Sequence, residues 1–164
     1  MRRIHLGIWI AVCVAATSCG FTLRTESLGD RLSEVKLPDN LARDVQIAIE
    51  RQARAFGVDL ARETENDVQT VVGIQEFENE RSTRVDPLGR PIEYWISVRW
   101  DVTLASQPQT PLTLHASESV GLDETSLIGF QKEKRRLLAL LREELATQLI
   151  TRLALMSDAA NTSR

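Results

Sequence analysis

Between residues 92 and 104 the chain alternates without a break. Ile92, Tyr94, Ile96, Val98, Trp100, Val102 and Leu104 hold one parity, and Glu93, Trp95, Ser97, Arg99, Asp101 and Thr103 hold the other. Successive side chains of a β-strand point to opposite faces. The run therefore predicts a long antiparallel strand with one face on a core and the other toward solvent. It also pins the register, because a slip of one residue turns the whole apolar set outward. A chain built around such a strand must supply neighbouring strands and a second layer to cover the apolar face.

The flanking segments supply both. Residues 68–77 are rich in β-branched and apolar side chains and predict a strand, which polar residues 78–84 carry toward a turn. Asp86, Pro87, Leu88 and Gly89 hold the turn chemistry, with proline presetting φ and glycine permitting a positive one. Pro108 and Pro111 bracket a second turn. Leu112, Leu114, Ala116, Val120 and Leu122 then share a parity, interrupted by Glu118, and predict the third strand of a meander. Upstream, residues 31–37 alternate weakly as a short strand. Leu41, Val45, Ala48, Ile49, Ala53 and Phe56 recur at helical spacing, with Asp39 or Asn40 as N-cap and Gly57 as the C-terminal stop. Residues 58–61 begin the next strand. A longer amphipathic helix follows the meander, with Asp123 or Thr125 as its cap. Its apolar stripe includes Leu127, Phe130, Leu138, Leu141, Leu145, Leu149, Leu153 and Met156. The expected fold is an α/β protein of the α+β kind. It is a two-layer sandwich in the order β-α-β-β-β-α, a mostly antiparallel sheet packed against two helices. One domain over residues 31–157 is expected, with a flexible polar tail over 158–164.

The N-terminus is of a different kind. Arg2 and Arg3 precede the uncharged apolar run 6–16, and the small residues Ala16, Thr17 and Ser18 lead to Cys19. This is the layout of a secretory signal peptide over residues 1–18. Its apolar run is shorter than the roughly 20 residues a membrane span requires. The small-residue site ending at a cysteine resembles the lipobox of bacterial lipoproteins, with Ala16 where leucine is usual. Cleavage leaves Cys19 as the only cysteine, since Cys13 departs with the peptide. No intramolecular disulfide can then form, and acylation of Cys19 accounts for an unpaired thiol in an exported chain. Residues 19–30 become a lipidated tether to a membrane. Gly20 after the cysteine, where Asp marks inner-membrane retention, points to the outer membrane.

Charge and motif content narrow the function classes. The chain has 20 basic and 23 acidic residues, a formal charge of −3. Removing residues 1–18 takes Arg2 and Arg3 and no acid, so the charge becomes −5. An acidic body has no bulk attraction for nucleic acid, and no nucleic-acid partner is expected. The mature chain has one histidine, His115, read as a solvent-face or satisfied strand residue, and no His/Cys cluster for a metal. No nucleophile elbow, metalloprotease helix or nucleotide-binding glycine loop occurs. The acids Glu76, Glu78 and Glu80 alternate and read as one solvated stripe. No catalytic activity and no cofactor are expected. The bases that stand out are Arg81, Arg84 and Arg90 around the first hairpin, and Lys132, Lys134, Arg135 and Arg136 at the start of the last helix. Guanidinium groups suit bidentate phosphate contacts, although such runs are more often solvated faces.

Three short motifs, in order, carry a family resemblance. Cys19-Gly20-Phe21-Thr22-Leu23-Arg24 resembles the opening of the LPS-assembly lipoproteins of the LptE family, with Thr22 in place of the usual His. Gly89-Arg90-Pro91-Ile92-Glu93-Tyr94 is similar to that family's GR-x-x-EY segment, and residues 141–153 look like its terminal helix. The resemblance implies an outer-membrane lipoprotein, lipid-anchored on the periplasmic side. Such a protein plugs the LptD β-barrel, helps it assemble and takes part in lipopolysaccharide delivery to the cell surface. It also implies lipopolysaccharide binding through Arg90 and through a lysine that is either Lys132 or Lys134, with Arg81 and Arg84 as further anion-binding candidates. Two alternatives stand beside it. One is a lipoprotein subunit of another envelope lipid-transport or secretion complex, and the other a lipoprotein enzyme acting on cell wall or lipid.

Overall fold

The computed structural model describes residue 32 and residues 34–61, 69–121 and 127–162. The signal peptide, Cys19, the tether, and the cap residues Asp123 and Thr125 lie outside the described residues. In chain order the elements are β1 (Glu34–Lys36), α1 (Arg43–Phe56), β2 (Asp59–Ala61), β3 (Gln69–Val85), β4 (Pro91–Leu104), β5 (Gln107–Gly121) and α2 (Leu127–Thr162). The strands form one sheet in the order β2-β1-β3-β4-β5. β1 runs parallel to both β2 and β3, while β3, β4 and β5 form an antiparallel meander. The expected α+β architecture is the one found. Residues 59–61 form a short parallel edge strand of their own rather than the beginning of a longer one.

The alternating run folds as its pattern requires. Ile96, Val98, Trp100, Val102 and Leu104 are buried on one face of β4. α2 covers that face with Leu141, Leu145, Leu149 and Leu153, and Val45, Ile49 and Ala53 of α1 belong to the same core. Burying a Leu, Ile or Val side chain contributes about 1.5–3 kcal/mol each, so this interface dominates the stability. Near the start of α2, Phe130 lies against Tyr94 with ring centroids 5.0 Å apart. Both helices therefore lie on the Trp100 side of the sheet. Among the described residues no element packs on the opposite face.

Four local readings need correction. The first helix is capped by neither Asp39 nor Asn40. Both sit in a turn ahead of it, and Ala42 is the N-cap without a side-chain hydrogen bond. Asp44 in the first turn supplies the negative charge that a helix N-terminus favours. Pro108 and Pro111 do not bracket a turn but lie inside β5, and the turn is at Ala105 and Ser106. β5 is an edge strand, where a missing N–H on the open side breaks no ladder. α2 runs on to Thr162 where a flexible tail is expected from residue 158. Met156 packs against the core, and the helix-favouring Ala159 and Ala160 extend the last turns. The fourth concerns the acidic stripe and is taken up with the site. Gly57 stops α1 as anticipated: its φ of 70° is left-handed, its N–H donates to Arg54 O, and Val58 N–H donates to Ala53 O at 2.9 Å.

Candidate functional site: the basic hairpin end and the two faces of the sheet

The turn between β3 and β4 is organised by Asp86. Its Oδ1 accepts the backbone N–H groups of Leu88 and Arg90, both at 2.8 Å. Its Oδ2 accepts the Arg90 guanidinium at 2.6 Å. Gly89, at φ 77°, closes the turn by donating its N–H to Asp86 O at 3.0 Å. The Arg90 backbone N–H, followed by its guanidinium and the Leu88 N–H, holds the Asp86 carboxyl below its ordinary range. Arg90 is thus fixed at the hairpin tip, with its side chain 58% exposed. Beside it Leu88 and Val85 are also exposed.

The sheet separates the other candidate bases into two sets. Arg81 is opposite Trp95, and Arg84 is opposite Glu93, on the face no helix covers. The Arg81 guanidinium lies 4.4 Å above the indole of Trp95, and Arg84 pairs with Glu93 at 3.3 Å. The two lysines belong to α2, on the other side. Lys134 pairs with Glu80. Lys132 is exposed and, among the described residues, meets no acid. The five bases share the hairpin end of the molecule without converging on one point.

The acidic stripe is where the structure departs most from expectation. Glu76, Glu78 and Glu80 are opposite Trp100, Val98 and Ile96, on the helix-facing side of the sheet. They are a clasp and not a solvated row. The Arg142 Nε of α2 donates to both oxygens of Glu76 at 3.2 and 3.1 Å, and Nη2 reaches Glu76 at 2.8 Å and Glu78 at 2.5 Å. Trp100 Nε1 donates to the same Glu76 carboxylate at 2.8 Å. Asp44 of α1 stands 3.6 Å from Arg142, and Arg51 of α1 pairs with Glu143 of α2. The hydrogen bonds to Glu76 raise the Arg142 pKa above its ordinary value, and the Arg142 side chain is 13% exposed. Fork-shaped pairing of this kind suits arginine, whose planar donors match a carboxylate. Sequence reasoning groups the three acids as a stripe but does not connect them with Arg142. The one signal was the parity that Glu76 shares with Ile74 of its strand.

His115 sits on the uncovered face as expected, exposed, with its ring centroid 6.2 Å from that of Trp95. Among the described residues no group of His, Cys, Asp and Glu is placed to hold a metal ion. No helix among them is long and apolar enough to cross a membrane. An open groove of about 560 Å³ runs between α1 and β2, lined by Asp39, Glu50, Arg54 and Asp59 among others, and none of the candidate bases reaches it.

Comparison with solved structures shows what the chain is similar to. Rare lipoprotein B from Shewanella oneidensis matches with a TM-score of 0.66 at 16% identity, over 80% of this chain and 99% of that one. An uncharacterized lipoprotein B from Nitrosomonas europaea matches with a TM-score of 0.63 at 11% identity, over 78% and 86%. A minor lipoprotein from Acinetobacter baumannii matches at 0.51 and 15% identity, over 74% and 90%. No protein-family model and no curated protein sequence matches the chain. At these identities the likeness is one of fold, an open, mostly antiparallel sheet with two helices.

Proposed function

We propose that this chain is an outer-membrane lipoprotein, anchored through Cys19 on the periplasmic side. In this reading it plugs an LptD-type β-barrel, assists its assembly and takes part in lipopolysaccharide delivery. The observation that carries the reading is the shared fold with lipoproteins, one of them matched over nearly its whole length. The motif opening at Cys19 and the Gly89–Tyr94 segment give the same direction. Its role is that of a binding module without catalysis.

Arg90 and Lys132 are the groups proposed to meet lipopolysaccharide phosphates. Asp86 fixes Arg90 at the tip of the hairpin while leaving its side chain largely in solvent. Of the two lysines the resemblance leaves open, Lys134 is already engaged by Glu80 and Lys132 is not. Lys132 is therefore the better phosphate ligand. Charge-assisted contacts to phosphate are short and strong, whereas a body of net negative charge is not drawn to anionic surfaces in general.

Two measurements test this. The full lipidated chain, purified from outer membranes in mild detergent, should bring a large β-barrel with it, and its depletion should leave that barrel misassembled. A normally assembled barrel in depleted cells would sink the reading. Arg90→Glu with Lys132→Glu should weaken lipopolysaccharide binding at least tenfold with the thermal transition unchanged, and undiminished binding removes these residues from the site. The alternative, a subunit of another envelope lipid-transport or secretion complex, predicts co-purification with a different set of proteins.

A further inference from the structure

β5 is an edge strand of 15 residues, and among the described residues β4 is its only neighbour in the sheet. Such an edge offers a row of backbone N–H and C=O groups to any strand that arrives. In an antiparallel ladder alternate residues turn these groups toward the neighbour and away from it. Two side-chain contacts show which residues of β5 turn them away. The Gln148 amide of α2 donates to His115 O at 3.3 Å, and Ser119 N–H donates to the Glu118 carboxylate at 3.3 Å. His115 and Ser119 share a parity, so Thr113, Ser117 and Gly121 face outward with them. Upstream, Pro108 and Pro111 bring no N–H. The stretch with a full set of donors is therefore 112–121, in which Glu118 is the only charged residue.

That stretch is complementary to itself. Two copies running antiparallel and centred on Ser117 would set His115 of one opposite Ser119 of the other, and Thr113 opposite Gly121. In this register Ser119 N–H of each copy would donate to His115 O of the other. These are the two groups already occupied, the carbonyl by Gln148 and the N–H by Glu118. A second strand would have to displace both side chains, and would meet them at both ends of the pairing. Gln148 is itself steadied, because its amide also donates to Glu144 Oε1 at 3.2 Å, one turn back on α2. α2 packs on the inner face of the sheet, and Gln148 reaches from it to the edge.

We propose that Gln148 and Glu118 guard the β5 edge against pairing with a second copy of this chain. The inference stands apart from the barrel-plug reading above. The test is the oligomeric state of the full chain in mild detergent, measured by sedimentation, with and without Gln148→Met and Glu118→Ala. Methionine keeps the length of the glutamine side chain and removes its donor. Expected is a chain that stays single when unsubstituted and a tenfold or greater rise in dimer when both guards are removed, with a smaller rise for each alone. Adding Ser117→Pro should return the doubly substituted chain to a monomer, because proline at an outward position of an edge strand breaks no bond to β4. Ser117→Cys should give a disulfide-linked dimer once the guards are gone, since opposed residues of a hydrogen-bonded pair have Cα atoms about 5.5 Å apart. Thr113→Cys, opposite Gly121, should not. A doubly substituted chain that remains single overturns the inference. So does an unsubstituted chain already paired through Ser117, and so does self-association that Ser117→Pro leaves in place, which would put the contact on another surface.

Discussion

Trp100 and Trp95 lie on the same strand, and the sheet gives them opposite surroundings. Trp100 is fully buried under the two helices, with its one polar atom donating to Glu76. Trp95 lies half-buried on the face that no described element covers, beneath Arg81 and beside His115. Both faces also place an arginine among acids or rings. Arg142 is surrounded by Glu76, Glu78 and Asp44 and joins α2 to β3 and α1. Arg81 meets a ring and, among the described residues, no acid. The inner face is complete in itself, and on the outer face, among the described residues, Arg81 is left without a countercharge. One surface stabilises the fold, and among the described residues no element packs on the other.

The strongest test of that contrast exchanges each tryptophan in turn. Trp100→Ala removes a fully buried ring and leaves Glu76 short of one donor, so a loss of about 3–5 kcal/mol is expected in chemical denaturation. Trp95→Ala removes a cation–π contact and half-buried area, so a loss of about 1 kcal/mol is expected. Equal costs would mean that the outer face is as structural as the inner one, and the contrast would collapse.

The arginines repeat the comparison on a smaller scale. Arg142→Ala leaves Glu76 with only the Trp100 N–H in a half-buried site, and about 2 kcal/mol of stability should be lost. Glu78 and Asp44 add little, because their side chains are 42% and 73% exposed. Arg81→Ala should cost only about 0.5 kcal/mol, the scale of an exposed cation–π pair. A thermal melt of the two variants side by side decides the point. If Arg81→Ala is the more damaging, the outer face is as structural as the inner one.

Much of this arrangement was legible in the chain. The unbroken alternation of residues 92–104 gave the strand, its face and its register, because a period of two leaves one solution once a core must be covered. The helical stripes were equally plain, as was the stop at Gly57. The clasp was not. Parity showed that Glu76 alternates with Glu78 and Glu80, but not which neighbour would lie over them. The answer depended on Arg142, 66 residues further on. Three acids on one strand therefore read as solvent-facing until a helix supplied the countercharge. The same limit left the choice between the two lysines open. Lys132 and Lys134 look alike in the chain, and only the packing of α2 over β3 turns Lys134 toward Glu80. Pro108 and Pro111 were misread because proline's usual meaning is a turn, and its tolerance at an edge strand depends on topology.

The smallest expected effect is confined to the hairpin tip and marks how independent that tip is of both faces. The Asp86 carboxyl titrates below its ordinary 3.8, chiefly because the Arg90 backbone N–H bonds to its ionised form. A depressed carboxyl contributes to folding only while ionised. Its contribution is full well above pH 3.8 and is lost as the pH falls through the lower value it has in the folded chain. The amide resonances of Leu88 and Arg90, which donate to this carboxylate, should therefore shift together with a midpoint below 3.8. Those of β4 around Trp100 should remain still over the same range. Asp86→Asn should abolish the shared transition. If the resonances near Trp100 move with the tip, the hairpin end is coupled to the core, and Arg90 cannot be altered without disturbing the inner face.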